Sequence, residues 1–488
     1  MLFYTRLLSK IHFVFYLSAG LNFGLQAVEF LSVESDTARY AGKEIFLTGN
    51  VVVEHPLGVI SGQTVHLQQD ALAYFIKMSD QVRISFKEGG QLECGQAEVD
   101  CQLMTGSFQA NEAQPQVIYT ESNPSHVCLK VQSREMHLAL CQKQPNQETS
   151  KEWQIEKITA TDNVSVKYND LFTAFGELLT YRTSTANQAG TIELQGSQEK
   201  EMCHVETPEG DFIKAVHIHI DTQSRQSLLT QTHGQLQALA KGEILFSADR
   251  MKWDDPHHLL TLEGHVTITQ QGMGQIVTDE KVIFRKANFN GKNQVRSVTL
   301  PGKSVLTYED TEKRLFVHTL TCHGHLEVDR CTLETVASSP LDAAGNVIKD
   351  QQVHYIDPIG EIYADQFSVS YMQKQGKTVP SHIIFRGNVY ICNQGDGSAE
   401  SLLKQYILAD KVEYYPQTKE MYLSAKDGKR VLFYDKIDNL QVSAPSLKIK
   451  RDLISKKESI QGYGDVRFNF IEHEFDKLKS RFLLDKTK

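Results

Sequence analysis

The sequence is poor in features that mark several classes of protein. Proline is scarce, with 12 residues in 488, so no long linker of the polyproline type is expected. Basic residues show no excess: 51 Lys and Arg stand against 60 Asp and Glu, giving a formal net charge of −9. A general nucleic-acid binder is therefore not expected. The Gly-x-Ser-x-Gly, phosphate-binding Gly-rich and His-Glu-x-x-His motifs are absent, so we assign no enzymatic activity, catalytic residue or cofactor.

Long apolar runs are also rare. The one near the N-terminus covers 11–25, follows Arg6 and Lys10, and precedes the small residue Ala27. This order is typical of a secretory signal, and the run is shorter than the ~20 residues that a membrane helix needs. We predict a signal peptide at 1–27 and an exported mature chain, with an uncleaved anchor as the alternative.

Cysteine is present in a number that allows disulfides. An exported chain with an even number of cysteines can form them, and the chain has eight. Two of these, Cys203 and Cys392, have no near neighbour in sequence. The other six form three candidate disulfides by proximity, with buried free thiols as the alternative: Cys94 with Cys101, Cys128 with Cys141, and Cys322 with Cys331.

An internal repeat runs through the chain. Five segments align without gaps: IFLTGNVVVE at 45–54, ITATDNVSVK at 158–167, LTLEGHVTIT at 260–269, IIFRGNVYIC at 383–392 and IQGYGDVRFN at 460–469. A second motif accompanies them, as in ADRMKW at 248–253, ADQFSV at 364–369 and ADKVEY at 409–414. We count roughly eleven units of about 30–45 residues, a period typical of stacked arrays.

Apolar residues alternate within these segments. Ile45, Leu47, Val51 and Val53 share one parity in the first segment. Such alternation predicts half-buried β-strands. We therefore predict an all-β, antiparallel, repeat-built and elongated fold.

A glycine recurs in the middle of the repeated strand. It has the parity of the apolar residues, so we predict that it points inward where the strand bends from one sheet wall to another; a plain β-bulge is the alternative. Asp162 takes its place in the second segment. The predicted crease residues are Gly49, Gly264, Gly387 and Gly464.

The repeated motif Leu-x-Gly-Asn-Val-x-Val, followed by Ala-Asp-x-Val-x-Tyr, resembles the OstA-like proteins of lipopolysaccharide transport. The resemblance covers about 40–470. It implies a V-shaped β-jellyroll with an apolar groove for acyl chains, a location in the periplasm, and lipopolysaccharide or a related lipid as cargo. It also implies other OstA-like jellyroll proteins of the inner and outer membranes as partners, bound by edge-strand pairing. The chain is longer than ordinary bridge proteins of that family and shows no membrane-barrel half.

On this basis we divide the chain into repeat regions. The N-terminal repeats cover 28–240, the central repeats 241–340 and the C-terminal repeats 341–471. A charged terminal segment, 472–488, has the apolar spacing of a short helix at Phe475, Leu478 and Phe482. We expect it to block one sheet edge. The other edge, near 38–50, is expected to be open to strand addition by a partner or in a homo-oligomer.

The groove expected from the resemblance is assigned to the inward parity of the repeated strands. The alternative is that the same side chains fill a closed core. The candidates are Val51, Val53, Val164, Val166, Met251, Trp253, Leu262, Val266, Ile268, Val389, Ile391, Val412 and Tyr414.

Three polar clusters also have a chemical and a plain interpretation. Asp254, Asp255, His257 and His258 surround Pro256, which favours a turn over acid–base chemistry. The second cluster is Cys322, His323, His325 and Cys331. Its spacing is wrong for a zinc finger or ribbon, and we expect no metal there.

His217 and His219 form the third cluster. They share one strand face and are interpreted as a surface stripe.

Three functions are compatible with these features. The first is non-catalytic binding and transport of lipid across the periplasm to the outer membrane. The second is an exported structural or adhesive β-solenoid without cargo. The third, a glycan-acting enzyme, would need converging carboxylates, and the sequence shows no such set.

Overall fold

The computed structural model confirms the all-β prediction. It describes residues 32–469 except 56, 70–73, 88, 123–127, 143–152, 185–188, 198–201, 239–242, 271–273, 311–314, 358–359, 375–376, 394–404, 437–439 and 452–457. Within this part of the chain all regular structure is β-strand, and no helix is long and apolar enough to cross a bilayer. The predicted signal peptide and the terminal segment 472–488 lie outside the described residues.

Packing divides the chain into two units, 1–230 and 231–488, with the boundary inside strand β17. The strands of unit 1 are β1 (Ser32–Glu34), β2 (Thr37–Ala41), β3 (Glu44–His55), β4 (Gly58–Gln69), β5 (Tyr74–Phe86), β6 (Gln91–Asp100), β7 (Thr105–Gln109), β8 (Val117–Ser122), β9 (Cys128–Ser133), β10 (Glu135–Gln142), β11 (Trp153–Tyr168), β12 (Phe172–Arg182), β13 (Thr191–Gln195), β14 (Cys203–Glu206), β15 (Phe212–Ala215), β16 (His217–Asp221) and the start of β17 (Gln226–Gln237).

The strands of unit 1 form two antiparallel ladders. Ladder A contains β2, the first half of β3, the second half of β4, the first half of β5, the second half of β6, β7, β10, the first half of β11, the second half of β12, β13, β16 and the start of β17. Ladder B contains β1, the opposite halves of the long strands, β8, β9, β14 and β15. Each long strand therefore contributes one half to either ladder.

Unit 2 is built in the same manner. Its strands are β18 (Glu243–Asp254), β19 (Leu259–Glu263), β20 (Val266–Gln270), β21 (Gly274–Thr278), β22 (Val282–Phe289), β23 (Lys292–Leu300), β24 (Ser304–Asp310), β25 (Leu315–Cys322), β26 (His325–Asp329), β27 (Glu334–Ser338), β28 (Val353–Ile356), β29 (Glu361–Ala364), β30 (Gln366–Lys374), β31 (Lys377–Asn393), β32 (Gln405–Tyr415), β33 (Glu420–Ser424), β34 (Val431–Asp435), β35 (Leu440–Ala444), β36 (Ser446–Arg451), β37 (Glu458–Tyr463) and β38 (Arg467–Asn469), together with the end of β17.

Two ladders again share the long strands of unit 2. Ladder C contains the second half of β18, β19, β22, β23, β26, β27, β30, the first half of β31, the second half of β32, β33, β36 and β37. Ladder D contains the first half of β18, β20, β21, β24, β25, β28, β29, the second half of β31, the first half of β32, β34, β35 and β38.

We call each point where the chain crosses between ladders a passage. The register of the long strands skips at the passages, as between Thr48 and Val51 in β3 and between Arg386 and Val389 in β31. The four predicted crease glycines lie at passages: Gly49 in β3, Gly264 between β19 and β20, Gly387 in β31 and Gly464 between β37 and β38. The hairpin turns lie at the strand ends that are remote from the passages, and we call this side of each unit the turn side.

Alternating burial explains why these segments form strands. In β7 and β9 every second residue is buried, as expected when one face of a pleated strand packs and the other meets water. The buried rows of the two ladders form the core of each unit, and its largest fully buried side chains include Tyr119, Tyr168, Phe284 and Phe433.

Candidate functional site: the interior between the ladders

Side chains from opposite ladders meet in unit 1 and thereby identify its interior. The Tyr181 hydroxyl on ladder A donates to a carboxylate oxygen of Glu121 on ladder B, at 2.9 Å. The Tyr168 hydroxyl on ladder B donates to the carbonyl oxygen of Thr222, which follows β16 of ladder A, at 3.3 Å. The two ladders of unit 1 therefore face each other directly.

Unit 2 shows the same arrangement with different side chains. The ring of Tyr355 on ladder D lies 6.2 Å from that of Phe367 and 5.9 Å from that of Phe385, both on ladder C. Arg330, directly after β26 of ladder C, donates from Nη2 to Gln270 Oε1 on ladder D at 2.5 Å. Aromatic and polar contacts thus close the interior of unit 2.

The groove candidates all lie in these interiors or beside them. Ten of the thirteen are less than 9% exposed: Val51, Val53, Val164, Val166, Met251, Leu262, Val266, Ile268, Val389 and Val412. The other three, Trp253, Ile391 and Tyr414, are half-buried. Unit 1 holds the first four and unit 2 the rest. Protein atoms occupy the space around most of these side chains, which favours the closed core over the open groove in this state of the molecule.

The sequence did not predict a polar cluster at the turn side of unit 1, in which a half-buried glutamate lies among tyrosines. Glu121 lies between Tyr119 and Tyr181, which are 1% and 6% exposed. Burial raises the pKa of Glu121, although hydrogen bonds from Tyr181 and Tyr119 oppose the shift. Burial and the Glu121 charge also raise the pKa of both tyrosines. The available signal was parity, because Val117, Tyr119 and Glu121 alternate along β8 and share its buried face.

Three passages share one arrangement. A glycine and the next residue both have positive φ, and an aspartate in or next to a neighbouring strand donates its backbone N–H to the glycine carbonyl at 2.9–3.0 Å. The aspartate carboxylate also contacts the side chain of the residue after the glycine at 2.8–2.9 Å. The three sets are Gly49, Asn50 and Asp36; Gly264, His265 and Asp249; and Gly387, Asn388 and Asp365.

The predicted inward direction of these glycines is wrong. A Cβ atom on Gly49, Gly264 or Gly387 would lie 2.9–3.0 Å from the Cβ of the aspartate, and these aspartates are solvent-accessible. Two successive left-handed residues interrupt the period of two, so parity cannot be counted through a passage. At Gly464 the Cβ would meet the ring of Pro445 at 3.0 Å, and Gly464 is itself exposed.

The passage at Asp162 has the opposite charge arrangement. Asp162 and Asn163 both have positive φ, at 65° and 55°. Arg134 occupies the place of the aspartate: its backbone N–H donates to the Asp162 carbonyl at 3.0 Å, and its guanidinium lies 3.6 Å from the Asp162 carboxylate. In the sequence, Asp162 stands where the other repeats have glycine, and the structure shows that Arg134 is its partner.

The structure does not bring the candidate cysteine pairs together, and none of the eight cysteines forms a disulfide. Cys94 lies in β6 and Cys101 just beyond its end, about 20 Å apart along one strand. Cys141 lies opposite Gln154, near the start of β11. Cys128 precedes Leu129, which lies opposite Tyr168 at the end of β11. The two cysteines therefore lie near opposite ends of that strand. Cys322 ends β25 and is buried. Cys331 lies in the exposed turn after β26.

The polar clusters occupy turns and strand faces. The Asp254 carboxylate contacts His257 Nδ1 at 2.8 Å within the turn after β18. His219 lies 3.5 Å from Glu193 on the neighbouring strand. Cys322 Sγ lies 3.4 Å from the His325 carbonyl oxygen. Among the described residues, no three His, Cys, Asp or Glu side chains are grouped as metal ligands would be.

The first sheet edge lies partly where the sequence predicted it, near 38–50. Residues 38–41 belong to the edge strand β2, whereas β3 is paired on both sides, with β1 and β2 outside it. Within the described part of the chain, β1 and β2 are therefore the outermost strands. All five residues of β2 are exposed, and Tyr40 is 70% exposed.

No family model matches the chain, and no curated protein matches its sequence.

Proposed function

We propose that this chain is a non-catalytic lipid-binding and transport protein of the periplasm, which carries lipopolysaccharide or a related lipid toward the outer membrane. The observation that carries the proposal is the apolar row that continues from strand to strand between facing ladders. Its members come from the repeated strands, as at Val53, Ile268 and Val389. The resemblance of the same strands to the OstA-like proteins supports the lipid class.

Binding would exchange one apolar contact for another. Each buried acyl methylene gains about 0.8 kcal/mol relative to water. Since protein side chains now fill the interior, the ladders must separate to admit a chain. The passages join the ladders covalently, whereas the turn side is bridged by single contacts such as Tyr181 with Glu121. The proposed entry is therefore along the turn side.

Site-specific photo-crosslinking tests the proposal. A small diazirine amino acid is placed at the interior positions Val53, Ile268 and Val389, and at the alternate positions Val52 and Thr267 as matched controls. In cells or with lipopolysaccharide micelles, the interior positions should capture lipid identifiable by mass spectrometry. The controls should capture little. Equal labelling of both sets, or no labelling, would defeat the proposal.

A second candidate is a structural β-array without cargo. The near-complete burial of ten groove candidates favours it, since a core filled by its own side chains needs no ligand. The two candidates differ in one outcome of the same experiment: a structural array gives no lipid adduct at Val53, Ile268 or Val389.

A further inference from the structure

A row of aromatic side chains crosses the outer face of ladder D. The ring of Tyr363 lies 6.0 Å from that of Tyr390, which lies 6.1 Å from Tyr406, which lies 6.4 Å from Tyr434. His354 extends the row, stacked on Tyr363 at 4.1 Å. These side chains come from β28, β29, β31, β32 and β34. We call this row the aromatic ladder.

Strand alternation places the aromatic ladder outside. Tyr355 touches ladder C, so it and its register partners Ile362 and Ile391 face the interior. Tyr363 and Tyr390 are the alternate residues of the same strands and point the other way.

This outer face is nevertheless buried. Leu408 and Leu432, which pack with the aromatic ladder, are 1% and 3% exposed, and Tyr390 and Tyr434 are 6% and 7% exposed. All five residues of β34 are buried, on both faces of the sheet. By contrast, Val277 on β21 of the same ladder is 45% exposed. The described residues packed in this cluster all belong to ladder D itself.

A buried polar atom marks the same face. Gln441 lies opposite Tyr434 in β35 and is 3% exposed. Its Oε1 has no hydrogen-bond partner. A buried acceptor of this kind needs a donor, and a segment lying over the face can supply one.

We infer that the aromatic ladder is the docking surface for the chain's own C-terminal segment, 470–488. The chain leaves the described structure at Asn469 in β38, which pairs with β35, the neighbour of β34. Six strand spacings separate β38 from β28, about 29 Å at 4.8 Å each. A helix of the 19 residues that remain would span about 28 Å.

The composition of the segment fits an apolar surface. Ile471, Phe475, Leu478 and Phe482 are spaced by four, three and four residues, the spacing of one helical face. The segment 394–404, QGDGSAESLLK, offers only two large apolar side chains.

Cys392 provides a reporter, because it packs with the aromatic ladder and is 3% exposed. Replacing Cys101, Cys128, Cys141 and Cys331 with serine leaves Cys392 and three other buried thiols, Cys94, Cys203 and Cys322. Maleimide labelling, mapped by peptide mass spectrometry, then reports the cover at Cys392 and unfolding at the other three.

The experiment compares the full chain with a chain ending at Asn469. Truncation should raise the labelling rate of Cys392 at least about tenfold, as for a buried thiol that becomes accessible without global unfolding. The other three thiols should stay protected. A peptide of residues 470–488 added in trans should restore protection. Continued protection of Cys392 after truncation would overturn the inference, whether segment 394–404 or a partner proves to be the cover.

Point variants of the intact chain guard against misfolding of the truncated form. Phe475→Asp should expose Cys392, and Lys477→Asp, a matched control outside the apolar spacing, should not. If truncation also exposes Cys94, Cys203 and Cys322, the Phe475→Asp variant decides. Unchanged protection of Cys392 in that variant would overturn the docking.

Discussion

The passage side and the turn side of each unit are held together in different ways. At the passages the chain itself joins the ladders, and three copies of the glycine–aspartate arrangement fix the crossing. At the turn side the ladders meet through separate contacts, such as Tyr181 with Glu121 and Arg330 with Gln270. If the ladders separate, they should separate at the turn side, and the passages should act as the hinge.

The two tryptophans make this comparison measurable. Trp153 lies in unit 1 and Trp253 in unit 2. When one of them is replaced with phenylalanine, the tryptophan fluorescence reports the unfolding of the unit that keeps its tryptophan. Each unit can then be followed by itself during urea unfolding.

The largest effect is expected from crowding a passage. Gly387→Ala should destabilise unit 2 by about 3 kcal/mol, because left-handed strain costs about 1–3 kcal/mol and overpacking against Asp365 about 1–3 kcal/mol. Gly291→Ala is the matched control: φ is 80° there, but nothing lies within 4 Å of the added atom. Equal losses in the two variants, measured through Trp253, would show that Asp365 does not require the glycine.

The sequence predicted the strands and the positions of the passages, but not the residues that contact the passage glycines. Period-two alternation in segments such as 45–54 is a local signal, and it predicted strands correctly. The contact of Asp365 with Gly387 joins residues 22 positions apart, one between β29 and β30 and the other in β31, and only the register of the strands reveals it. Cysteine proximity failed because residues near in sequence can lie at opposite ends of strands.

The Glu121 carboxylate at the turn side should make the stability of unit 1 sensitive to pH. The pKa of Glu121 is raised in the folded state, so protonation stabilises the fold. This contribution is fully present below the unfolded value of 4.5 and is lost as pH rises through the folded pKa. Glu121→Gln should therefore be more stable than the parent at neutral pH, with the difference shrinking toward pH 4.5. A pH-independent difference in melting temperature would contradict this assignment.

A smaller effect is expected from converting one type of passage into the other. Arg134→Asp alone places two carboxylates together and should destabilise unit 1 by up to about 1 kcal/mol, the usual range for exposed pairs. Adding Asp162→Gly should restore the parent stability by recreating the glycine–aspartate arrangement. Urea unfolding followed through Trp153 measures both variants. Failure of the second substitution to rescue the first would show that the two passage types are not equivalent.

The smallest effect is expected at His265. Its hydrogen bond with the Asp249 carboxylate, and the charge of that carboxylate, raise the pKa of the imidazole. The resulting stabilisation is present below the unfolded value of 6.5 and is lost as pH rises through the folded pKa. His265→Asn, which copies the passage at Asn388, should remove this pH dependence from the free energy of unfolding of unit 2. An unchanged slope would assign the pH dependence to another group.

The central claim is that lipid lies between the ladders and enters from the turn side. The distance between spin labels tests it most directly, in a chain with Cys101, Cys128, Cys141 and Cys331 replaced by serine. One pair, Asp170→Cys with Ser224→Cys, spans the turn side of unit 1. The control pair, Gln109→Cys with Gln116→Cys, flanks a passage. With lipopolysaccharide micelles the turn-side distance should lengthen and the passage distance should stay constant. An unchanged turn-side distance at saturating lipid would contradict the claim.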